Sequence, residues 1–228
     1  MIKLILVRHG QSTYNKKNLF TGWLDVGLTL QGIQEAKKAG KIIKNNNLTF
    51  DIAYTSELKR AQKTLKYILK EINQKNIQVI KTYKLNERHY GALQGLNKDE
   101  MKKKFGEEQV NLWRRSLYEK PPALSKQDKT YPGNDPKYKN IKEELPTSES
   151  LYDTMLRVSD YYENEIITKL KENKKILIVA HGNSLRALIK YLDNISDDDI
   201  MKLEIPTGEP ICYELDKELK PIRHYYLK

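Results

Sequence analysis

The chain has 228 residues, of which 39% are hydrophobic and 31% charged, and its formal net charge is +11. These proportions exclude a disordered chain and predict a soluble globular protein. No apolar run is long enough to span a bilayer, so we expect no membrane partner. A single cysteine, Cys212, excludes an internal disulfide and favours a cytoplasmic location.

The excess of positive charge has two interpretations. It could attract nucleic acid, or it could suit a small anionic substrate. The lysines are scattered and mostly interleaved with glutamates on helical faces, which is typical of a solvated surface. Because no nucleic-acid-binding motif is present, we predict no nucleic-acid partner, and a basic binding module that is not an enzyme is the alternative.

Strands and helices alternate along the chain. Apolar runs predict strands at 2–7, 51–55, 79–82, 176–180, 211–215 and 222–227. Helical spacing predicts helices at 30–43, 57–72, 98–116 with a break near Gly106, 149–171, 184–193 and 197–203, the first, second and fourth capped by Thr29, Ser56 and Ser148. This alternation predicts an α/β fold of three layers, α/β/α, with a largely parallel central sheet.

Residues 118–144 contain several prolines and no periodic pattern. So long an irregular stretch inside a compact domain is usually either functional or disordered. The segment is therefore interpreted either as part of a cover over a functional site or as a disordered insertion.

Two segments match each other. LVRHGQS at 6–12 and IVAHGNS at 178–184 are each an apolar strand followed by His-Gly, a polar residue and serine. In open α/β sheets, ligands bind outside the carboxyl ends of strands where the strand order reverses, so His9 and His181 could face one pocket. The alternative is a pair of ordinary turn histidines. We predict no metal site, because none of the four histidines is paired at ligand spacing.

The LVRHG motif at 6–10 resembles the signature of the histidine phosphatase (phosphoglycerate mutase-like) superfamily. Further segments resemble its cofactor-dependent phosphoglycerate mutases: Asn15, FTGW at 20–23, YTS at 54–56 with Arg60, LNERHYGALQGLNK at 85–98, WRR at 113–115, PG at 132–133, AHGNSLRA at 180–187 and IPTG at 205–208. The resemblance runs from Lys3 to Leu227. The segment 85–98 is its most specific part for the mutase branch.

The resemblance implies five catalytic residues. His9 would carry the phosphoryl group, with Arg8 and Arg60 binding phosphate through planar guanidinium groups. His181 would donate to the phosphoryl group in the transition state, and Glu87 would be the general acid and base. Without the resemblance, Arg60 would be interpreted as a surface arginine and the segment around Glu87 as a charged surface turn.

The resemblance also implies the substrate and its binding residues. The expected substrate is a small anionic phosphorylated molecule. The predicted binding residues are Asn15, Thr21, Gly22, Arg88, His89, Tyr90, Lys98, Arg114, Arg115, Gly182 and Asn183. Adjacent arginines such as Arg114 and Arg115 point in different directions on a helix, so both can reach one ligand only near a helix end or in a distorted helix.

The fold implied is a single phosphoglycerate mutase-like domain over 1–228, with an insertion at about 92–148 that helps cover the site. A homodimer is expected. The predicted reaction interconverts 3-phosphoglycerate and 2-phosphoglycerate in glycolysis and gluconeogenesis. It proceeds through a phosphohistidine primed by 2,3-bisphosphoglycerate and uses no metal.

The main rival is a phosphomonoesterase of the same superfamily, which would share His9, Arg8, Arg60 and His181 and would also use an acid. It would not need the segment 87–98 or the paired arginines in this form. A bisphosphoglycerate synthase and an inactive scaffold are further alternatives. Mutases often continue past the final strand into a tail over the site, whereas this sequence stops at Lys228. We therefore expect increased hydrolysis of the phosphohistidine.

Overall fold

The computed structural model describes residues 2–228, and Met1, the first residue of the predicted domain, lies outside the described part. A six-stranded sheet forms its centre, with β1 Ile2–Arg8, β2 Ile52–Thr55, β3 Gln78–Lys81, β4 Ile176–Ala180, β5 Ile211–Leu215 and β6 Pro221–Tyr226. The strand order is β3-β2-β4-β1-β5-β6. The first four strands in this order pair in parallel, and β5 and β6 are antiparallel. The predicted, largely parallel sheet is therefore confirmed.

Eight α-helical segments accompany the sheet. They are α1 Thr13–Lys16, α2 Leu30–Asn45, α3 Lys59–Glu71, α4 Lys98–Phe105, α5 Glu107–Arg115, α6 Leu151–Tyr161, α7 Ile167–Lys171 and α8 Gly182–Asp193. A π-helical turn, Tyr162–Ile166, joins α6 to α7. Within residues 2–228, the search for a helix with the length and apolarity of a membrane span found none.

Alternate residues of the central strands pack on opposite faces of the sheet. Leu6 and Ile178 belong to a core shared with α6 and α8, whereas Val7 and Val179 belong to a second core shared with α2 and α3. A strand buried on both faces needs apolar residues at every position, which explains the continuous apolar runs of β1 and β4. The predicted three-layer α/β/α architecture is confirmed.

The neighbouring strands β1 and β4 bring the two matching segments side by side. Their parallel register pairs Val7 with Val179 and Arg8 with Ala180. The next residue on each strand is a histidine, and the backbone N–H of His9 donates to the carbonyl of Ala180 at 3.0 Å. After β1 the chain continues to β2 on one side, and after β4 it continues to β5 on the other. Both histidines therefore lie where the strand order reverses.

Some predicted helix boundaries were wrong. Ser56 does not cap α3, which begins at Lys59 after Leu58; its hydroxyl oxygen accepts from the backbone N–H of Leu58 and bonds to His181. The helix predicted after Ser148 is capped instead by Ser150, whose side chain forms a capping box with Asp153. Ser150 is the better cap because the carboxylate of Asp153, three residues later, accepts a hydrogen bond from the backbone N–H of Ser150.

Three smaller differences concern side-chain burial and helix type. Leu30 begins the apolar helical spacing that predicts α2, yet it lies at the first helical position and is 81% exposed. The helix predicted at 197–203 is a short 3-10 turn, Asp199–Met201. The helix predicted to run to 171 is interrupted by the π turn between α6 and α7.

Residues 118–148 contain only two 3-10 turns, Pro132–Asn134 and Pro136–Tyr138, as regular structure. The segment is held by packing of Tyr138 and Leu145 against Trp23, and Asn86 Nδ2 donates to the Tyr138 hydroxyl at 2.9 Å. Burial of these apolar side chains favours an ordered segment over the disordered alternative. The wider prediction of an insertion at 92–148 that covers the site stays a prediction.

We expect Gly32→Ala to lower the free energy of unfolding by about 1–3 kcal/mol, because overpacking costs more than the helix propensity that alanine gains. A Cβ at Gly32 would lie 2.1 Å from the backbone oxygen of Gln11, so α2 can approach the turn after β1 only through a glycine. Urea denaturation measures the change. Gly27→Ala is the control, since its nearest contact would be the Lys63 amine at 3.9 Å. Equal stability of the two variants would contradict this account.

Candidate active site

His9 is buried, with 2% of its surface exposed, at the end of β1. Its Nδ1–H donates to the carbonyl oxygen of Gly10 at 2.7 Å, and because a carbonyl can only accept, this bond fixes the tautomer. Nε2 is therefore unprotonated, and it accepts a hydrogen bond from Arg60 Nε at 3.3 Å. Burial, with the positive charges of Arg60 and Arg8, holds the pKa of His9 well below its usual value. The ring is thus a neutral nucleophile at neutral pH.

Two arginines lie beside this ring. Arg60 is 1% exposed, and its remaining N–H groups donate to the carbonyls of Leu24 at 2.9 Å and Gly22 at 2.7 Å. Arg8 donates to the carbonyl of Ile205 at 2.6 Å, while its buried Nε has no partner among the described residues. Burial lowers the pKa of Arg60 to about 10, which leaves it charged at neutral pH. Two positive charges therefore flank Nε2 of His9.

His181 follows β4 and faces His9, with ring centroids 4.9 Å apart and ring planes at 63°. It is fully buried, and its Nε2 lies 2.7 Å from the hydroxyl of Ser56. Burial, followed by the charge of Arg60, holds the pKa of His181 well below its usual value. The structure therefore places both histidines in one neutral, buried pair, as the matching segments predicted.

The carboxylate of Glu87 lies at the edge of the adjoining cleft. It is 8% exposed, and its Oε1 accepts from the backbone N–H groups of Arg88 and Asn183, both at 2.9 Å. Asn183 is the second residue of α8, so the carboxylate lies at a helix N-terminus, where negative charge is stabilised. Two backbone donors on one oxygen fix the orientation of this acid.

The cleft beside the histidine pair carries an excess of positive charge. Its lining comprises Arg8, Asn15, Leu19, Thr21, Gly22, Glu87, Tyr90, Lys98, Arg114, Arg115, Gly182, Asn183, Arg186, Glu204 and Ile205. Nine of the eleven residues predicted to bind substrate are among them. His9, Arg60 and His181 are buried beside this lining rather than part of it. An anion is the ligand that such a surface favours.

Lys98, Arg114 and Arg115 form a second cationic group in the cleft. Arg114 and Arg115 are the last two residues of α5, so they satisfy the geometric condition that adjacent arginines share one ligand only near a helix end. Arg115 also forms an ion pair with Glu204. Burial, and then the charges of Arg114 and Arg8, lower the pKa of Lys98, although Tyr90 and Glu87 oppose them.

Two predicted binding residues lie outside the cleft lining. Arg88 is fully buried, donates to the carbonyl of Trp113 and lies 4.6 Å from the centre of the Tyr90 ring. His89 is also fully buried, accepts from the backbone N–H of Gly91 at 3.0 Å and packs against Trp23. They support the loop behind Glu87 and Tyr90, and their predicted contact with substrate stays a prediction.

Sequence reasoning missed the ion pair that holds this loop. Arg157 and Glu149 are 2.7 Å apart and nearly buried. Arg157 donates to the carbonyls of Lys84 at 2.8 Å and Glu87 at 3.3 Å, and Glu149 accepts from the backbone N–H of His89 at 2.8 Å. No pattern in the sequence marks these two residues as partners, because their burial is known only from the structure.

Arg186 is the second missed residue. It lies on α8, is 3% exposed and lines the cleft. It donates to Asn183 Oδ1 at 2.9 Å and to the carbonyl of Arg115 at 3.1 Å. It therefore ties the second cationic group to the helix that follows His181. Its sequence motif was recognised, but an arginine in a helix gives no sign of which way it points.

The sequence profile of the Histidine phosphatase superfamily (branch 1) matches residues 4–131 and 124–227. Among solved structures, mycobacterial glucosyl-3-phosphoglycerate phosphatase complexed with VO3 has a TM-score of 0.74 at 19% identity, covering 99% of this chain and 97% of that one. Phosphoserine phosphatase from Entamoeba histolytica, in complex with 3-phosphoglyceric acid, has a TM-score of 0.69 at 23% identity, covering 100% and 98%.

The α-ribazole phosphatase from Shigella flexneri is a third similar structure, with a TM-score of 0.69, 21% identity and coverage of 99% of this chain and 96% of that one. At these identities the likeness shows the fold alone. Within residues 2–228, no group of three or more His, Cys, Asp or Glu side chains could hold a metal ion, and the absence of a metal requirement stays a prediction.

The buried histidines predict a pH dependence of stability. Burial, followed by the charge of Arg157, lowers the pKa of His89 to about 3, so the folded state resists a proton that the unfolded chain takes up below its ordinary pKa of 6.5. Stability from this group is therefore complete above pH 6.5 and is lost as the pH falls from 6.5 towards 3. His89→Gln removes this contribution. As the pH is lowered, the free energy of unfolding of this variant should therefore fall less steeply than that of wild type, by roughly 1.4 kcal/mol per pH unit.

Urea denaturation of wild type and His89→Gln at pH 7.5, 6.0 and 5.0 measures the two slopes. His224→Gln is the control, because His224 is exposed on β6. Identical slopes for wild type and His89→Gln would contradict the assignment of a neutral buried ring.

Proposed function

Since this chain belongs to the histidine phosphatase superfamily, we propose that it interconverts 3-phosphoglycerate and 2-phosphoglycerate through a phosphoryl group carried on Nε2 of His9. The proposal is supported by a neutral, buried imidazole between two arginines, with a second cationic group in the same cleft. In this proposal 2,3-bisphosphoglycerate primes the enzyme, and no metal takes part.

His9 is the nucleophile of the first step. The lone pair of His9 Nε2 attacks the phosphorus atom, the bond from phosphorus to the ester oxygen breaks, and Glu87 gives a proton to the departing oxygen. Arg8 and Arg60 neutralise charge on the phosphoryl oxygens, where fixed cations in a buried site are most effective. In the return step Glu87 takes the proton from the attacking hydroxyl. The backbone bonds to Oε1 keep this acid in place.

The second cationic group supports a substrate with two anionic ends. Lys98, Arg114 and Arg115 line the cleft with Arg8, whose buried Nε is unpaired among the residues described. Binding of both anionic ends would hold a small acid in the cleft while either of the two oxygens that can carry the phosphoryl group faces His9. This residue set therefore fits 2,3-bisphosphoglycerate, which would supply the phosphoryl group for His9 when bound.

A phosphomonoesterase is the second candidate, and the names of the similar solved structures favour it. It would use the same nucleophile, the same arginines and the same acid, but water would accept the phosphoryl group from His9. The two functions differ in which acceptor reaches the phosphohistidine. One of these phosphatases was solved with 3-phosphoglyceric acid, so a phosphorylated three-carbon acid suits either candidate.

The two candidates are separated by one assay. We expect the purified protein to convert 3-phosphoglycerate to 2-phosphoglycerate in the presence of a chelator, with a rate that rises when 2,3-bisphosphoglycerate is added. Inorganic phosphate, measured in the same samples, should form more slowly than 2-phosphoglycerate. Phosphate release without isomerisation would establish the phosphatase instead. His9→Ala should lose both activities, and normal turnover by that variant would refute both candidates.

Arg157→Lys tests how Glu87 is positioned. Lysine keeps the charge but cannot make the several hydrogen bonds of a guanidinium, so the loop before Glu87 should loosen. We expect phosphoryl transfer from phosphoglycerate to fall by roughly 10- to 100-fold, since general acid catalysis contributes at least this much. Transfer from p-nitrophenyl phosphate should fall less, because its leaving group needs no proton.

Single-turnover rates with the two esters give the comparison. Arg223→Lys, which changes an arginine paired with Glu214 on the edge strand β6, is the matched control. Equal losses with both esters would show that Arg157 acts through general stability rather than through Glu87.

A further inference from the structure

The hydroxyl of Ser56 is the hydrogen-bond partner of His181. Ser56 is fully buried at the end of β2, and its Oγ lies 2.7 Å from His181 Nε2. The same oxygen accepts from the backbone N–H of Leu58 at 3.1 Å. The other ring nitrogen, His181 Nδ1, is buried and forms no well-aligned hydrogen bond within residues 2–228, although the backbone N–H of Ser184 lies near the same side chain.

These contacts distinguish the two neutral tautomers of His181. With the proton on Nε2, that N–H donates to Ser56 Oγ, and two groups stay unsatisfied: the hydroxyl hydrogen of Ser56 and the lone pair on Nδ1. With the proton on Nδ1, the Ser56 hydroxyl donates to Nε2 and still accepts from Leu58. Only the Nδ1–H then lacks a partner. Buried donors without acceptors are costly, so the second arrangement is favoured.

A ring protonated on both nitrogens would leave both Nδ1–H and the hydroxyl hydrogen of Ser56 without an acceptor. Burial, with the charge of Arg60, holds the pKa of His181 well below its usual value, so the ring stays neutral. The single unsatisfied group is then a donor, Nδ1–H, in a ring whose centroid is 4.9 Å from that of His9. An acceptor supplied by a ligand beside His9 would complete the hydrogen bonding of this ring.

We propose that Ser56 is a positioning residue that fixes His181 in the tautomer with the proton on Nδ1, so that Nδ1–H donates to the phosphoryl group. The inference rests on the proposed function for the role of the donor. The placement of the proton is a property of the protein without substrate.

The direct test is nitrogen NMR of protein labelled with ¹⁵N-histidine, at pH 7.5 and without substrate. The chain has four histidines, so His181→Asn identifies the signals. We expect a neutral ring with a protonated Nδ1 and an unprotonated Nε2. A protonated Nε2, or equal populations of the two tautomers, would overturn the proposal whatever the enzyme's activity.

Ser56→Ala removes the hydroxyl and should shift His181 towards a mixture of tautomers. The rate of phosphoryl transfer should then fall roughly tenfold, less than the 10²- to 10³-fold typical of deleting a transition-state donor. Thr55→Val is the matched control, because Thr55 is an equally buried neighbour whose hydroxyl donates to the Val179 carbonyl at 2.8 Å. An unchanged His181 spectrum in folded Ser56→Ala would overturn the proposal.

The NMR result and the activity assay can fail separately. The predicted tautomer without phosphoglycerate isomerisation would sustain the role of Ser56 and reject the mutase. Isomerisation with Nε2 of His181 protonated would sustain the mutase and reject the role of Ser56.

Discussion

One hydrogen bond, from Nδ1 of His9 to the carbonyl oxygen of the adjacent Gly10, leaves the second ring nitrogen unprotonated. The bond forms because β1 ends in a turn that the close approach of α2 holds in place. Burial and two guanidinium groups then keep the ring neutral. Without this bond the proton could lie on either nitrogen of His9. In the molecules with the proton on Nε2, the ring between the arginines and His181 could not attack phosphorus.

The charges around this ring are arranged for an anion. In residues 2–228 neither Arg8 nor Arg60 forms an ion pair with a carboxylate; Arg8 donates to the carbonyl of Ile205, and Arg60 donates to the carbonyls of Leu24 and Gly22. Buried cations without counter-ions are unfavourable, so a bound phosphate would be stabilised by the positive charge that the free protein leaves uncompensated. The structure therefore accepts lower stability in exchange for a preorganised site.

The fold and the histidine pair were accessible from the sequence because each depends on short, local patterns. Apolar runs predicted the six strands, and the match between 6–12 and 178–184 predicted that His9 and His181 would meet. The placement of Arg88 and His89 was not accessible, because alternation within an irregular loop does not say which side chains face the cleft. The ion pair of Arg157 with Glu149 and the bond from Ser56 to His181 join residues that are close only after folding.

Both candidate functions require that Nε2 of His9 receives the phosphoryl group. Protein incubated with ³²P-labelled 2,3-bisphosphoglycerate can be denatured in alkali, digested and analysed to identify the modified residue and the ring nitrogen that carries phosphorus. The account predicts one labelled peptide with phosphate on Nε2 of His9, stable to base and labile to acid. Phosphate on Nδ1 of His9, or on any other residue, would contradict it.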